Sequence, residues 1–409
     1  MKRSGLFILA AIAAAACLPG ASPGVLAAEG PLLSDWTDRS TLAGNPVMPP
    51  MPTPRYNVAA VVVFDHLVVI GGQTGPGPET IVGTVEAYRS PLSGQSPRNI
   101  WIGDTSTGGI HQPMPAPRAG ASAAVVPDPY DTLRRYIVVV GGIGPDVFDE
   151  DEDGNNTEVI ASKAVQVYDF FNRTWDVLKP KKGIPGWGAA LVRVPEPFTD
   201  QNNDGEWNVG EPFTDQNGNG TWDAYLHVMN GVCTLDPGGC TFPSNIAYEV
   251  YYNGRRDNPA TGQVNEFIAP VWQDPGVSSP VPEREPAGVL TRPLAAQDTS
   301  PRFIYKFGGG TGGVVATQTA YRRDADTAFA QFEEIKAMPA ARVGHVAAVL
   351  QGIGQNGYAL QYPAVIGGSP DGSTPTDTVY IYHPDAQGWT LASRMIVNGE
   401  SRPRTGRFA

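Results

Sequence analysis

The sequence predicts an all-β protein assembled from repeated four-stranded units, and three observations carry that prediction. Short segments rich in β-branched residues recur between clusters of Gly, Pro, Asn and Asp. A pair of glycines closes the second segment of most units, and a Tyr followed by a Trp marks the last two. Branched and aromatic side chains fit a pleated surface, and turn residues at short spacing leave no room for helices. Gly (48) and Pro (39) supply about a fifth of the 409 residues, enough for many tight turns and short of a disordered composition.

The unit is clearest between Met114 and Leu178. Met-Pro-Ala-Pro-Arg118 leads into Gly120–Val126; Tyr136–Gly142 ends in Gly-Gly; an acidic loop follows; then come Ala164–Asp169 and Thr174–Leu178. An earlier copy starts at Met51-Pro-Thr-Pro-Arg55 and predicts strands through Val61–Phe64, Leu67–Gly72, Thr84–Tyr88 and Asn99–Trp101. A third runs Gly186–Val192, Tyr225–Gly231, Ala247–Tyr251 and Trp272, with Asn230-Gly231 in place of the glycine pair. The fourth is degenerate: Ala287–Leu290, Phe303–Gly309, Thr317–Tyr321, and Phe332 where a Trp would stand. The fifth opens with Met338-Pro-Ala-Ala-Arg342 and predicts strands from Gly344, over Ala364–Gly368 and Thr378–Tyr382, and at Trp389.

A four-stranded unit ending Gly-Gly, Tyr and Trp resembles a kelch repeat, one blade of a β-propeller. The resemblance covers nearly all of residues 28–409 and implies a kelch-type propeller of five full four-stranded blades. It also leaves two unmatched terminal strands, one around Trp36 and one opening at Arg404. Three arrangements satisfy that count: five blades with spare strands, a sequence ending within a sixth blade, or a missing edge completed by self-association with another molecule.

Residues 1–27 read as a signal peptide. Lys2 and Arg3 precede an apolar run from Leu6 to Ala16, too short to span a bilayer, and Val25-Leu-Ala27 suits cleavage before Ala28. A lipid on Cys17 would require Ala14 to replace the leucine usual in a lipobox, so simple cleavage and a secreted, periplasmic or cell-surface protein are expected. The formal charge of −12 argues against nucleic acid and anionic membrane surfaces, and no later run suits a transmembrane helix. Cys233 and Cys240 flank a turn-rich loop and are expected to form a structural disulfide in an oxidising compartment.

An insertion at residues 196–223 divides the first two strands of the third unit. It holds two copies, 15 residues apart, of Glu-Pro-Phe-Thr-Asp followed by alternate oxygen side chains and a Gly. In the first these are Asp200, Asn202, Asp204 and Glu206, with Glu211 twelfth; in the second, Asp215, Asn217 and Asn219, with Asp223 ninth and Leu226 twelfth. Alternate oxygens ending in a Gly turn let one loop aim several hard donors at one calcium ion, and the pattern resembles EF-hand calcium loops without their helices. Structural Ca²⁺ is therefore expected here. A polar turn that binds nothing is the alternative, since the same residues are ordinary turn formers. Asp149, Asp151 and Asp153 repeat the spacing without a twelfth carboxylate.

No nucleophile elbow, metal-hydrolase histidine pair or phosphate loop is visible. Some exported kelch propellers resemble galactose oxidase, but the five histidines (66, 111, 227, 345 and 383) are scattered and both mature cysteines share one loop. Among them His345 sits on a first strand near the axis. Arg55, Arg118, Arg342 and Arg404 either ring one mouth of the channel or brace neighbouring blades through hydrogen bonds, and bracing between blades is the simpler reading. The expected function is a calcium-stabilised module that binds a protein or glycan, rather than an enzyme. An extracellular carbohydrate-active enzyme and a structural subunit of a surface assembly are the alternatives.

Overall fold

The computed structural model describes residues 49–401 except 92, 129–130, 132, 149–157, 179–185, 202–205, 217–221, 230–247, 253–255, 259–262, 267–270, 274–282, 284, 294–300, 312–314, 328–329, 354–358, 393–395 and 398–399. The expected signal peptide, Cys17, the Trp36 and Arg404 strands, Cys233, Cys240, Asp149, Asp151 and Asp153 lie outside the described residues.

The chain is an all-β propeller. Among the described residues, five four-stranded antiparallel sheets follow one another, each with its strands in chain order from first to fourth. The first sheet comprises Ala59–Val63, His66–Ile70, Val85–Arg89 and Ile100–Ile102, and the second Ser122–Pro127, Arg135–Val140, Val165–Asp169 and Thr174–Leu178. The third is Ala190–Pro195, Ala224–Met229, Tyr248–Tyr252 and Val271–Gln273. The fourth is Ala287–Thr291, Phe303–Phe307, Ala320–Asp324 and Glu333–Glu334, and the fifth Val346–Ile353, Ala359–Ile366, Val379–His383 and Gly388–Leu391. The described residues also hold four small hairpins that were not visible as strands in the sequence, among them Ile143–Pro145 with Val159–Ala161. No helix among the described residues is long and apolar enough to cross a membrane.

Burial follows position in the sheet. The second strands are apolar and almost continuously buried, as in Tyr136–Val140, because both of their faces meet neighbouring blades. The fourth strand Thr174–Leu178 lies half in solvent at the rim. The core is accordingly a set of layers between blades. Val68, Ile70 and Val85 of the first meet Ile137, Val139 and Tyr168 of the second, and Val138, Val140 and Val167 meet Leu226 and Val228 of the third. Each fully buried Val, Leu or Ile contributes roughly 1.5–3 kcal/mol. The repeated aromatic pairs face each other across third and fourth strands: Tyr88 and Trp101, Tyr168 and Trp175, Tyr382 and Trp389. Each Trp indole N–H then reaches back to a carbonyl just before its own blade, on Pro49, Gln112 and Lys336 respectively.

The glycine pairs end the second strands and form the seams. The Gly72, Gly142 and Gly309 N–H groups donate to the Arg118, Gly186 and Arg342 carbonyls of the following blades at 2.8–2.9 Å. The first glycine of each pair passes so close to that neighbour that a Cβ on Gly71 or Gly141 would stand 2.4 Å from the Arg118 oxygen or 2.2 Å from the Gly186 oxygen. Both residues also have left-handed φ, 63° and 67°, where a side chain is strained. We expect Gly141→Ala to cost about 2–4 kcal/mol through strain and overpacking. Chemical denaturation would check this; a midpoint equal to that of the unsubstituted protein would count against the seam.

Candidate functional site

The opening residues of all five first strands converge around a cavity of about 210 Å³ lined mainly by small apolar groups, including Ala59, Ala123, Ala190, Gly288 and Ala347. Ser122 lines it too, but its hydroxyl donates to the Ala189 carbonyl at 2.6 Å. His345 is buried, with Nε2 at 3.1 Å from the Phe307 carbonyl oxygen.

Arg404 lies outside the described residues, and the three described arginines are taken up in contacts within their own blades. Arg55 is buried, pairs with Glu86 at 2.6 Å and donates to the Gly71 and Val69 carbonyls. Arg118 reaches the Pro145 carbonyl and Arg342 the Thr378 hydroxyl, both at 2.7 Å. Each guanidinium braces its own blade, whereas the sequence suggested bracing between blades. For Arg118 and Arg342 the link to the preceding blade runs instead through the backbone carbonyl.

The two copies within the insertion are related by a pseudo-twofold. The strand-like segments meet as Phe198 opposite Phe213, with Thr199 N–H donating to the Pro212 carbonyl and Thr214 N–H to that of Pro197, both at 2.8 Å. Trp207 and Trp222 stack with centroids 5.3 Å apart at 12°, and Phe213 and Phe198 meet them edge-on. These rings give a segment poor in aliphatic residues its own small core.

Around this core each copy's leading glutamate holds a loop. Glu211 accepts from the Gln201 and Asn208 N–H groups, at 2.8 and 2.9 Å. Glu196, in the other copy, accepts from the Gln216 and Asp223 N–H groups at 2.9 and 3.0 Å. The partners are equivalent, 15 residues apart, so Glu196 stands to the second loop as Glu211 stands to the first. The Trp207 indole likewise donates to the Glu211 carbonyl and the Trp222 indole to the Glu196 carbonyl. Counting forward twelve positions from Asp215 finds Leu226 and misses Glu196; the repeated Glu-Pro-Phe-Thr-Asp was the signal that could have found it.

Of the predicted ligands, Asp200, Glu206, Glu211, Asp215 and Asp223 are described, and Asn202, Asp204, Asn217 and Asn219 lie outside the described residues. Glu206 turns away to pair with Arg193 at 3.1 Å. Glu211 and Asp223 are buried. Burial pushes the Glu196 carboxyl up to about 7; the Asp223 and Asp215 charges act in the same direction, and the donated N–H groups oppose them. Among the described residues no three His, Cys, Asp or Glu side chains already form a metal cluster.

No family model matches the chain, and no curated protein sequence matches it. Among solved structures, that of YjhT is similar, with a TM-score of 0.48 and 13% identity over 87% of this chain and 88% of that one.

His111 and His227 are buried between blades. His111 Nδ1 lies 2.6 Å from the Tyr168 hydroxyl in a buried seam, and His227 Nδ1 lies 3.5 Å from the Arg323 guanidinium. Desolvation lowers both, to about 4 and about 3, with neighbouring arginines adding to the effect. A folded pKa below the unfolded value near 6.5 means that stability is full above that pH and is lost as pH falls toward the folded values. We expect a loss on the order of 2–3 kcal/mol at pH 4 from His111 alone. Denaturation midpoints across pH 7 to 4, compared between the parent and His111→Phe, would test it; identical acid dependence would refute the assignment.

Proposed function

We propose that the protein is an exported, kelch-type binding or surface-interaction module whose third blade is ordered by calcium. The observation that carries this reading is the pseudo-twofold insertion, in which two oxygen-rich loops share an aromatic core and each is held by a buried glutamate. The donor set fits the ion: carboxylates and amides supply only hard oxygen ligands, which calcium prefers. Asp200, Asn202, Asp204 and Glu211 would hold one ion. Asp215, Asn217, Asn219 and Asp223 would hold a second, with Glu196 as the carboxylate that the forward count lacks. A bound divalent cation supplies charge that offsets the cost of ionising buried acids such as Glu196.

The scaffold is suited to such a role. Its repeated polar groups are consumed in holding the blades, so specificity is left to the loops that emerge from them. The most elaborate of these is the insertion, which leaves between the first and second strands of the third blade. Its partner would be a protein or glycan met outside the cytoplasm.

Calcium is tested by melting the full chain with chelator and with excess Ca²⁺. The Tm should rise by several degrees with the ion, as ligand bound only to the native state requires. That rise should be halved or lost in Asp200→Ala and Asp215→Ala, and calorimetric titration should give two sites. A Tm indifferent to chelator, or calcium uptake unaltered by both substitutions, would remove the calcium part of the proposal.

A further inference from the structure

We propose that the mouth of the axial cavity is a second binding site, at which Glu285 holds the ammonium group of a small organic amine. The site is separate from the insertion, which leaves the opposite end of the third blade's first strand. Among the described residues five ring this mouth, one just ahead of each first strand: Asn57, Gly120, Gly188, Glu285 and Gly344, all with left-handed φ. The Gly120 N–H donates to the Asn57 carbonyl at 2.7 Å and the Gly188 N–H to that of Gly120 at 2.8 Å, so successive members are joined around the axis. The cavity begins at the residues that follow them, Val58, Ala121, Ala189, Pro286 and His345.

Glu285 is the exception in this ring. Glycine or asparagine fills the other four places, and these are the residues that adopt left-handed backbone at least cost. Glu285 does so at φ 49° and directly ahead of Pro286, which narrows its conformational choice further. Its side chain crosses to the third blade, where a Cβ on Gly188 would stand 2.9 Å from the Glu285 Cγ. Three blades show that the fold accepts glycine at this place. A glutamate kept there against its backbone preference points to a use for the carboxylate.

Among the described residues Glu285 has no hydrogen bond or ion pair, while the polar groups around it are engaged. The Asn57 amide donates to Gln73 Oε1 at 3.3 Å and the Tyr56 hydroxyl to the Gly75 carbonyl at 2.7 Å. Ser122 and His345 are held by the Ala189 and Phe307 carbonyls. The half-buried carboxylate therefore stands alone above an apolar cavity of about 210 Å³. That combination selects a cation whose remaining surface is apolar. A metal ion would want several oxygen donors converging on it, whereas an alkylammonium needs one carboxylate and an apolar wall. Trp187 adds to that wall: it lies over Gly120, its Cε3 3.2 Å from where a Cβ on that glycine would stand, and indole rings attract ammonium groups.

The test titrates the full chain at pH 7 with n-butylammonium and with n-butanol, its neutral counterpart, by calorimetry and saturation-transfer NMR. The amine should bind ~10-fold or more tightly than the alcohol, as a hydrogen bond between charged groups requires. Glu285→Gln, which keeps the side-chain length and the backbone demand, should lose that preference. Glu285→Gly should lose it as well and raise the Tm by about 1–3 °C, because glycine relieves the left-handed strain. Equal binding of amine and alcohol, or a preference unaltered in Glu285→Gln, would overturn the proposal. A lower Tm for Glu285→Gly would overturn it too, since the side chain would then be serving the fold.

Discussion

The close passage of one blade's glycine pair beneath the next blade's backbone is the constraint on which the propeller depends. The N–H to carbonyl bond fixes the distance between blades, and the missing Cβ permits it. The second glycine serves the opposite side: a Cβ on Gly72 would stand 2.6 Å from the Val58 side chain, and one on Gly368 would stand 2.7 Å from the His345 Cβ, each within its own blade. One pair therefore holds the blade to its neighbour and lets its own opening segment fold back over it. The apolar layers between sheets then form at a spacing already set by the main chain.

Within that frame the polar brace of each blade is free to vary in chemistry. The first blade uses Arg55 against Glu86. The second puts Gln166 at the third-strand position of Glu86, where it donates to the Ala116 carbonyl and accepts the Ala116 N–H. The fourth reverses the charges: Lys306, on the second strand, pairs with the fully buried Glu283 from the opening segment, while Thr317 and Thr319 donate to the same carboxylate. Burial pulls the Lys306 amine below its ordinary range, and Glu283 opposes that shift. Removing one member of such a pair strands a buried charge, whereas exchanging the whole pair for another satisfied one costs little. The repeats can thus diverge while the blade persists.

This divergence explains what the sequence made legible. Strands whose side chains alternate or run continuously apolar, such as Tyr136–Val140 and Val165–Asp169, lay where β-branched residues put them, and the Tyr–Trp pairs located the outer strands. The glycine pairs read as strand ends, and the structure adds why two are needed. The fourth blade was harder because its brace moved to Lys306 and its fourth strand, Glu333–Glu334, carries no Trp. In the insertion, oxygen spacing identified Glu211 but not Glu196, since that carboxylate precedes the loop it holds. A relation formed by symmetry between two copies is not contained in the spacing within either.

The insertion is folded by its own aromatic core yet is not a free appendage. Arg193 on the first strand of the third blade pairs with Glu206 and lies over the Trp222 ring, with its guanidinium carbon 5.9 Å from the centroid. Arg302, ahead of the second strand of the fourth blade, donates to the Pro195 carbonyl at the root of the insertion and pairs with Asp326. The third blade's loop is therefore clamped from two adjacent blades. A change in how the two loops are ordered would reach the seam between the third and fourth blades through Arg302, and through Gln216, whose side-chain amide donates to the Asp326 carbonyl at 3.4 Å. The ring thus sets the direction in which the insertion is presented.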